Sequence, residues 1–153
     1  MIRILVPVDG SELALDAVHH ALALTGSGLT ATLVLANVQE PASFYELATR
    51  DSDLIAAAAV DAGQELMASA VALVQSAGVL HETEVALGEV AATLVDLAEE
   101  HGCGLIVIGA RGQGAISSAL LGSVSQAVVR LSPVPVTIVK HPEAQEAAEP
   151  GED

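Results

Sequence analysis

The feature that most restricts the fold is an alternation. Short aliphatic runs, too short for helices, take turns with stretches whose apolar residues recur every three or four positions. Ile2-Arg3-Ile4-Leu5-Val6-Pro7-Val8 is the first run, nearly all apolar as a strand buried on both faces must be. Asp9-Gly10-Ser11 breaks it, and Leu13, Ala17, Ala21 and Leu24 follow at helical spacing. Ser11 stands where it can cap that helix, and Gly26-Ser27-Gly28 ends it. Ala31 to Val38 is a second strand. Gln39 to Arg50 has no clear period, includes Pro41 and both aromatic residues, and reads as a loop.

Asp51-Ser52-Asp53 offers caps for an Ala-rich helix reaching about Ala77, with Gly78 as its stop and Gly63 arguing against one unbroken element. Glu82 to Leu87 is a short, more polar strand suited to a sheet edge. Val90, Leu94, Leu97 and Ala98 mark a helix whose first turn carries Glu89, at the positive end of the dipole. Leu105-Ile106-Val107-Ile108 is a strongly buried strand. A long small-residue loop, Gly109 to about Gly122, leads to a helix starting near Ser123, which serves as its cap. Pro133-Val134-Pro135 precedes a last strand, Val136 to Val139, also expected at an edge. The order β-α-β-α-β-α-β-α-β predicts an α/β fold, a doubly wound five-stranded parallel sheet with helices on both faces. Residues 1–140 form the expected domain. The acidic Ala/Glu/Pro-rich tail 141–153 lacks large apolar residues and is expected to be flexible.

Charge excludes whole classes of partner. The 153 residues hold 20 acids against 5 bases, a net of −15. Nucleic-acid binding requires a basic face that displaces counterions, and an anionic membrane surface requires the same. The continuous apolar runs stop far short of the roughly 20 residues that span a bilayer. Met1-Ile2-Arg3-Ile4 enters a strand directly, without the charged and apolar regions of a signal peptide. Cys103 is the sole cysteine, which suits a reducing compartment. The expectation is a cytoplasmic protein with no nucleic-acid and no membrane partner.

In a doubly wound sheet, ligands bind at the carboxyl ends of the strands, where strand order reverses. Asp9, Asn37-Val38 and the stretch from Gly109 onward all fall at such ends. Gly109-Ala110-Arg111-Gly112-Gln113-Gly114 and Gly122-Ser123-Val124-Ser125 fit neither a Walker A loop nor the dinucleotide fingerprint. They offer glycines whose amides can approach an anion, and a helix start carrying two hydroxyls. The same glycines would also suit a plain flexible crossover. Cys103 reads as a packed thiol, the five histidines show no metal-ligand spacing, and no nucleophile elbow occurs.

Gly109, Gly112, Gly122 and Ser123 match Gly-x2-Gly-x9-Gly-Ser/Thr, and here the chain resembles the nucleotide-binding universal stress proteins. Ile4-Leu5-Val6-Pro7-Val8-Asp9-Gly10-Ser11, Leu105 to Gly109 and Pro133 to Val139 resemble that family too, so the likeness covers residues 1 to about 140. It implies a Rossmann-like domain with strand order 3-2-1-4-5 and ATP bound with Mg2+ or Mn2+. Asp9, beside Pro7 and Val8, and the Val38 backbone would address the adenosine. Gly109, Ala110, Arg111, Gly112 and Gly114 would approach the ribose and phosphates. Gly122, Ser123, Val124 and Ser125 would hold phosphates. A homodimer through the edge strand Val136–Val139 is also implied. Ser117-Ser118-Ala119 carries no base, where relatives often have one.

Three functions stay open: a nucleotide-dependent stress-response regulator with little or no hydrolysis; a weak ATPase or self-phosphorylating protein using Ser117, Ser118, Ser123 or Ser125; and a partner-binding module that takes cyclic AMP or no nucleotide. The charge map favours an anion site. Residues 1–100 hold 15 acids and two bases and the tail holds five acids, while residues 101–140 hold three bases and no acid. A carboxylate beside a triphosphate would oppose binding, and the stretch with the glycine loop has none.

Overall fold

A computed structural model describes residues 1–40, 52–111 and 121–142. Within them run β1 (Ile2–Pro7), α1 (Glu12–Gly26), β2 (Ala31–Gln39), α2 (Ser52–Ala77), β3 (His81–Leu87), α3 (Val90–Glu100), β4 (Leu105–Gly109), α4 (Ser123–Leu131) and β5 (Val136–Val139). The strands form one parallel sheet in the order β3-β2-β1-β4-β5. From β1 the chain steps outward through β2 to β3, then returns to the other side of β1 for β4 and β5. The expected architecture and strand order are those observed.

Side-chain alternation builds a core on each face of the sheet. Ile4, Val6, Leu33, Leu35 and Val107 pack under α1 and α2 with Ala17, Val18, Met67 and Val74. Leu5, Val34, Ala36, Ile106 and Ile108 pack under α3 and α4 with Leu94, Val95 and Val128. Ile4, Leu5 and Val6 are wholly buried. At roughly 1.5–3 kcal/mol for each such side chain, β1 alone contributes on the scale of a domain's net stability. A one-residue slip would not be tolerated there. The edges differ: β3 carries the exposed Glu82 and Thr83, and β5 is half-buried along its length.

Three local expectations change. Gln39 belongs to β2, pairing with Leu87, because the ladder with β3 outlasts the apolar run. Glu89 is the cap of α3 itself, its Oε1 accepting from the Ala92 amide at 2.8 Å. Most instructive is α2, which passes through Gly63 unbroken. A Cβ at Gly63 would lie 2.6 Å from both Cγ atoms of Val85, so this glycine is a contact point where the helix lies against β3. Gly63→Ala gains up to about 1 kcal/mol of helix propensity but overpacks by roughly 1–3 kcal/mol against a β-branched neighbour. Net destabilisation is expected, read as a lower urea midpoint; a raised midpoint would contradict the contact.

Helix α2 also corrects the reading that looked only at continuous apolar runs. Residues Asp53–Ala77 are long and apolar enough to cross a membrane by length and composition. Asp61 and Glu65 interrupt the run without making the average polar. In the fold α2 lays Ala59, Met67, Ala70 and Val74 on the sheet and turns outward a mixed face on which alanines alternate with Asp61, Gln64, Glu65 and Ser69.

The amino ends of the strands carry a charged cluster. Arg3 donates to Glu82 Oε1 at 2.7 Å and to the His101 carbonyl at 2.6 Å, and His101 Nε2 lies 3.1 Å from Glu84. The hydrogen bond from Arg3 holds the Glu82 carboxyl below its ordinary value of 4.5. A depressed carboxylate stabilises the fold above its unfolded pKa and loses that contribution as pH falls through its folded value. The stability gap between the native protein and Glu82→Gln should therefore be full near neutrality and shrink in acid. Thermal melts across that range check it, and a gap independent of pH would refute it.

Candidate functional site

Because strand order reverses at β1 and β4, their carboxyl ends open a crevice between diverging connections. On the β1 side the chain leaves the sheet at a tight turn. Gly10 has φ +89°, a conformation that favours glycine. Asp9 Oδ1 accepts from the Ser11 amide at 2.9 Å and from the Ser11 hydroxyl at 2.5 Å. Ser11 Oγ in turn accepts from the Ala14 amide at 3.1 Å, capping α1 as expected. One relay thus fixes both the helix start and the half-buried Asp9 carboxylate. Val8 is buried, its amide bonded to Ala36 and its carbonyl to the Asn37 side chain, so its contribution is to place Asp9.

Val38 lies near the end of β2. Successive strand residues turn their peptide groups to opposite neighbours: Ala36 accepts from Val8 of the β1 side, and Gln39 accepts from Gly88 of the β3 side. Val38 therefore faces the β1 side, where β1 has already turned away at Asp9. A donor and an acceptor of one backbone residue are presented toward the crevice.

On the β4 side the chain forms a closed neck. The Ala110 amide donates to Val139 at 2.8 Å, and the Ala110 carbonyl accepts from the Gly122 amide at 2.7 Å and from Ser125 Oγ at 2.8 Å. The Gln126 side chain holds the Leu121 carbonyl at 2.9 Å. The loop's two ends meet at this neck, with Arg111 half-buried beside it. Gly112 and Gly114, like Ser117 and Ser118, lie outside the described residues. Gly109 has a packing reason for lacking a side chain: a Cβ there would stand 2.8 Å from the Leu13 carbonyl oxygen of α1.

Helix α4 begins differently from the sequence expectation. Its cap is Gly122, with no side-chain cap bond, and Ser123 is the first helical residue. Ser123 and Val124 are exposed, whereas Ser125 is 2% exposed and its hydroxyl closes the neck. With the Gly122 amide committed to Ala110, the amides of Ser123, Val124 and Ser125 are the first-turn donors with no preceding helical carbonyl to reach. No acid lies in this turn and Arg130 lies in the last, so the dipole is positive and unopposed at the crevice.

The fold thus brings Asp9, Val38, Ala110-Arg111 and the Gly122–Ser125 turn to one end of the sheet. Sequence reasoning noted Asn37 without giving it a role and placed Gln39 in a loop. A buried amide in an otherwise aliphatic run, Leu33-Val34-Leu35-Ala36-Asn37, was the available clue. Among the described residues no three His, Cys, Asp or Glu side chains group as a metal site. Cys103 is buried, and burial pushes its thiol pKa up, which makes it a packed rather than a reactive thiol.

Known proteins share this fold. The model of the universal stress protein family matches residues 1–140. Universal stress protein MJ0531 of Methanocaldococcus jannaschii is 31% identical over 144 residues, covering 94% of this chain and 84% of its own. Universal stress protein YxiE of Bacillus subtilis is 32% identical over 152 residues, covering 90% and 98%. Among solved structures, a universal stress protein in complex with cAMP superposes with TM-score 0.63 at 28% identity, over 91% of this chain and 96% of that one.

Proposed function

The chain belongs to the universal stress protein family, and from that premise we propose that it is an ATP-binding regulator whose function is binding, with little or no hydrolysis. One observation carries the reading: the unopposed first turn of α4 opens beside the Ala110 neck, at the same sheet end as Asp9 and Val38. Three amides and a positive dipole suit phosphates, and one backbone donor–acceptor pair suits a base edge. Asp9 suits a ribose hydroxyl, which a carboxylate can accept from. A divalent ion, Mg2+ or Mn2+, would draw its oxygens chiefly from the phosphates, as Mg2+ commonly does, since the described residues supply no cage.

Little points to catalysis. Phosphoryl transfer requires a group that orients the nucleophile and cations that neutralise developing charge, and Arg111 is the cation at this neck. Self-phosphorylation is weakened at Ser125, whose buried hydroxyl is held by a carbonyl, and leaves Ser123 as the exposed acceptor among the described residues. Cyclic AMP is the second reading, favoured by the relative crystallised with it. Calorimetric titration with Mg-ATP, repeated with cyclic AMP, tests both. Saturable Mg-ATP binding without product is the expected result; no binding at millimolar nucleotide overturns the reading.

The reading includes a homodimer through β5, whose half-buried Val136–Val139 strand ends the sheet, with α4, which carries the exposed Val129 and Leu131, in contact with it. Sedimentation showing a monomer at high concentration would contradict that. It also includes a cytoplasmic location, the 1–140 domain, and no nucleic-acid or membrane partner; all but the first two residues of the tail lie outside the described residues. Retention on immobilised DNA or anionic vesicles at physiological salt would contradict the last.

A further inference from the structure

One chain of amides crosses the otherwise apolar layer between the sheet and α2. Gln39 Nε2 donates to the Ala59 carbonyl of α2 at 3.0 Å and to Asn37 Oδ1 at 2.9 Å. Asn37 Nδ2 donates to the Val8 carbonyl at 2.9 Å. A backbone carbonyl only accepts, so Ala59 sets which end of the Gln39 amide faces it. The Gln39 NH2 then sets the Asn37 oxygen, and the Asn37 NH2 is directed at Val8. Gly63 leaves the space, since a Cβ there would lie 3.0 Å from Asn37 Oδ1.

Packing alone does not ask for an amide here. Asn37 is 2% exposed and continues the stripe of Leu33 and Leu35, where an aliphatic side chain would serve. What the amide touches is the point at which β1 leaves the sheet. The β1–β2 register ends at Pro7 opposite Ala36, followed by the Val8 amide bonded to Ala36. One further rung would bring the Val38 amide to the Val8 carbonyl. The Asn37 side chain makes a bond to that carbonyl instead.

We infer that Asn37 is a positioning residue for base recognition: by bonding the Val8 carbonyl it ends the β1–β2 ladder and keeps the Val38 peptide directed at the nucleobase. The inference rests on the nucleotide reading above. A backbone N–H beside a C=O complements the N1 acceptor and N6 donor of adenine. Hypoxanthine presents the reverse pattern, an N1 donor and an O6 acceptor. Asn37→Leu leaves the Val8 carbonyl to the Val38 amide, so the base edge loses its donor.

The test is calorimetry of the full chain with Mg-ATP, Mg-ITP and Mg-tripolyphosphate. The native protein should prefer ATP to ITP by about tenfold or more, because a reversed donor–acceptor pair leaves polar groups unpaired. In Asn37→Leu that preference should collapse through loss of ATP affinity, with tripolyphosphate binding unchanged. Gln39→Leu, which keeps Asn37 but removes the amide that orients it and the bond to Ala59, should shift the preference the same way by less, and it serves if Asn37→Leu does not fold. Equal weakening of both nucleotides, or an unchanged preference, overturns the inference. A native protein that binds tripolyphosphate without preferring ATP overturns it and leaves the anion site standing. A native protein that binds none of the three overturns the nucleotide reading as well.

Discussion

Ser123→Glu is expected to abolish Mg-ATP binding while leaving the protein as stable as before or slightly more so. Ser123 is the first residue of α4, exposed and making no cap bond. A carboxylate there meets the positive end of the helix, worth about 0.3–1 kcal/mol of stability. Toward a triphosphate the same charge is repulsive. At about 5 Å and an effective dielectric constant near 20, each like pair costs roughly 3 kcal/mol, and one pair weakens binding about a hundredfold. Opposite signs in the two measurements separate a local binding effect from damage to the fold. Calorimetry and a thermal melt on one preparation are sufficient. Unchanged Mg-ATP affinity would remove the α4 turn as the phosphate site.

Gly109→Ala is the substitution expected to cost most in stability. Replacing glycine by alanine often stabilises by about 0.4–1 kcal/mol, through a less flexible unfolded chain. Here the new Cβ would stand 2.8 Å from the Leu13 carbonyl oxygen, a backbone atom in the first turn of α1. No side chain can swing aside, so α1 or β4 must move, and strain of that kind costs roughly 2–3 kcal/mol net. For a chain of this size the melting temperature should fall by roughly 5–10 °C. The shift would disturb the Asp9–Ser11 turn, so nucleotide affinity should fall with it. Gly26→Ala is the control, having nothing within 4 Å of its Cβ, and should leave the melt nearly unchanged. Equal melts for the two variants would refute the close approach.

Both predictions concern residues of the glycine motif, which was legible in the sequence while the role of each residue was not. The resemblance brings Gly109 to the ribose and phosphates, and the structure adds that the place a Cβ would take there is held by the α1 backbone. Ser123 suggested a cap and is the first helical residue, while Ser125 is a buried tie to Ala110. Spacing records which residue types recur together; it does not say which atom fills the gap a glycine leaves. Gly63 shows the same limit. Propensity argued for a broken helix, and the contact with Val85, 22 positions away in the chain, outweighs propensity.

What the sequence determined by itself follows from local and additive physics. Hydrophobic periodicity set the order of strands and helices, because a strand buried on both faces must be continuously apolar and a helix must not. Handedness and crossover rules then left few topologies, and the observed order is the one expected. Net charge and the absence of acids from residues 101–140 raised the expectation of a small anion over a polyanion, which the titrations above put to the test. The tertiary structure alone decided how the crevice is held: the neck at Ala110, the α1 approach at Gly109, and the amide relay from Ala59 through Gln39 and Asn37 to Val8. Those are contacts between residues distant in sequence, set by distances of a few tenths of an ångström. No periodicity encodes them, because each exists only after two cores have packed.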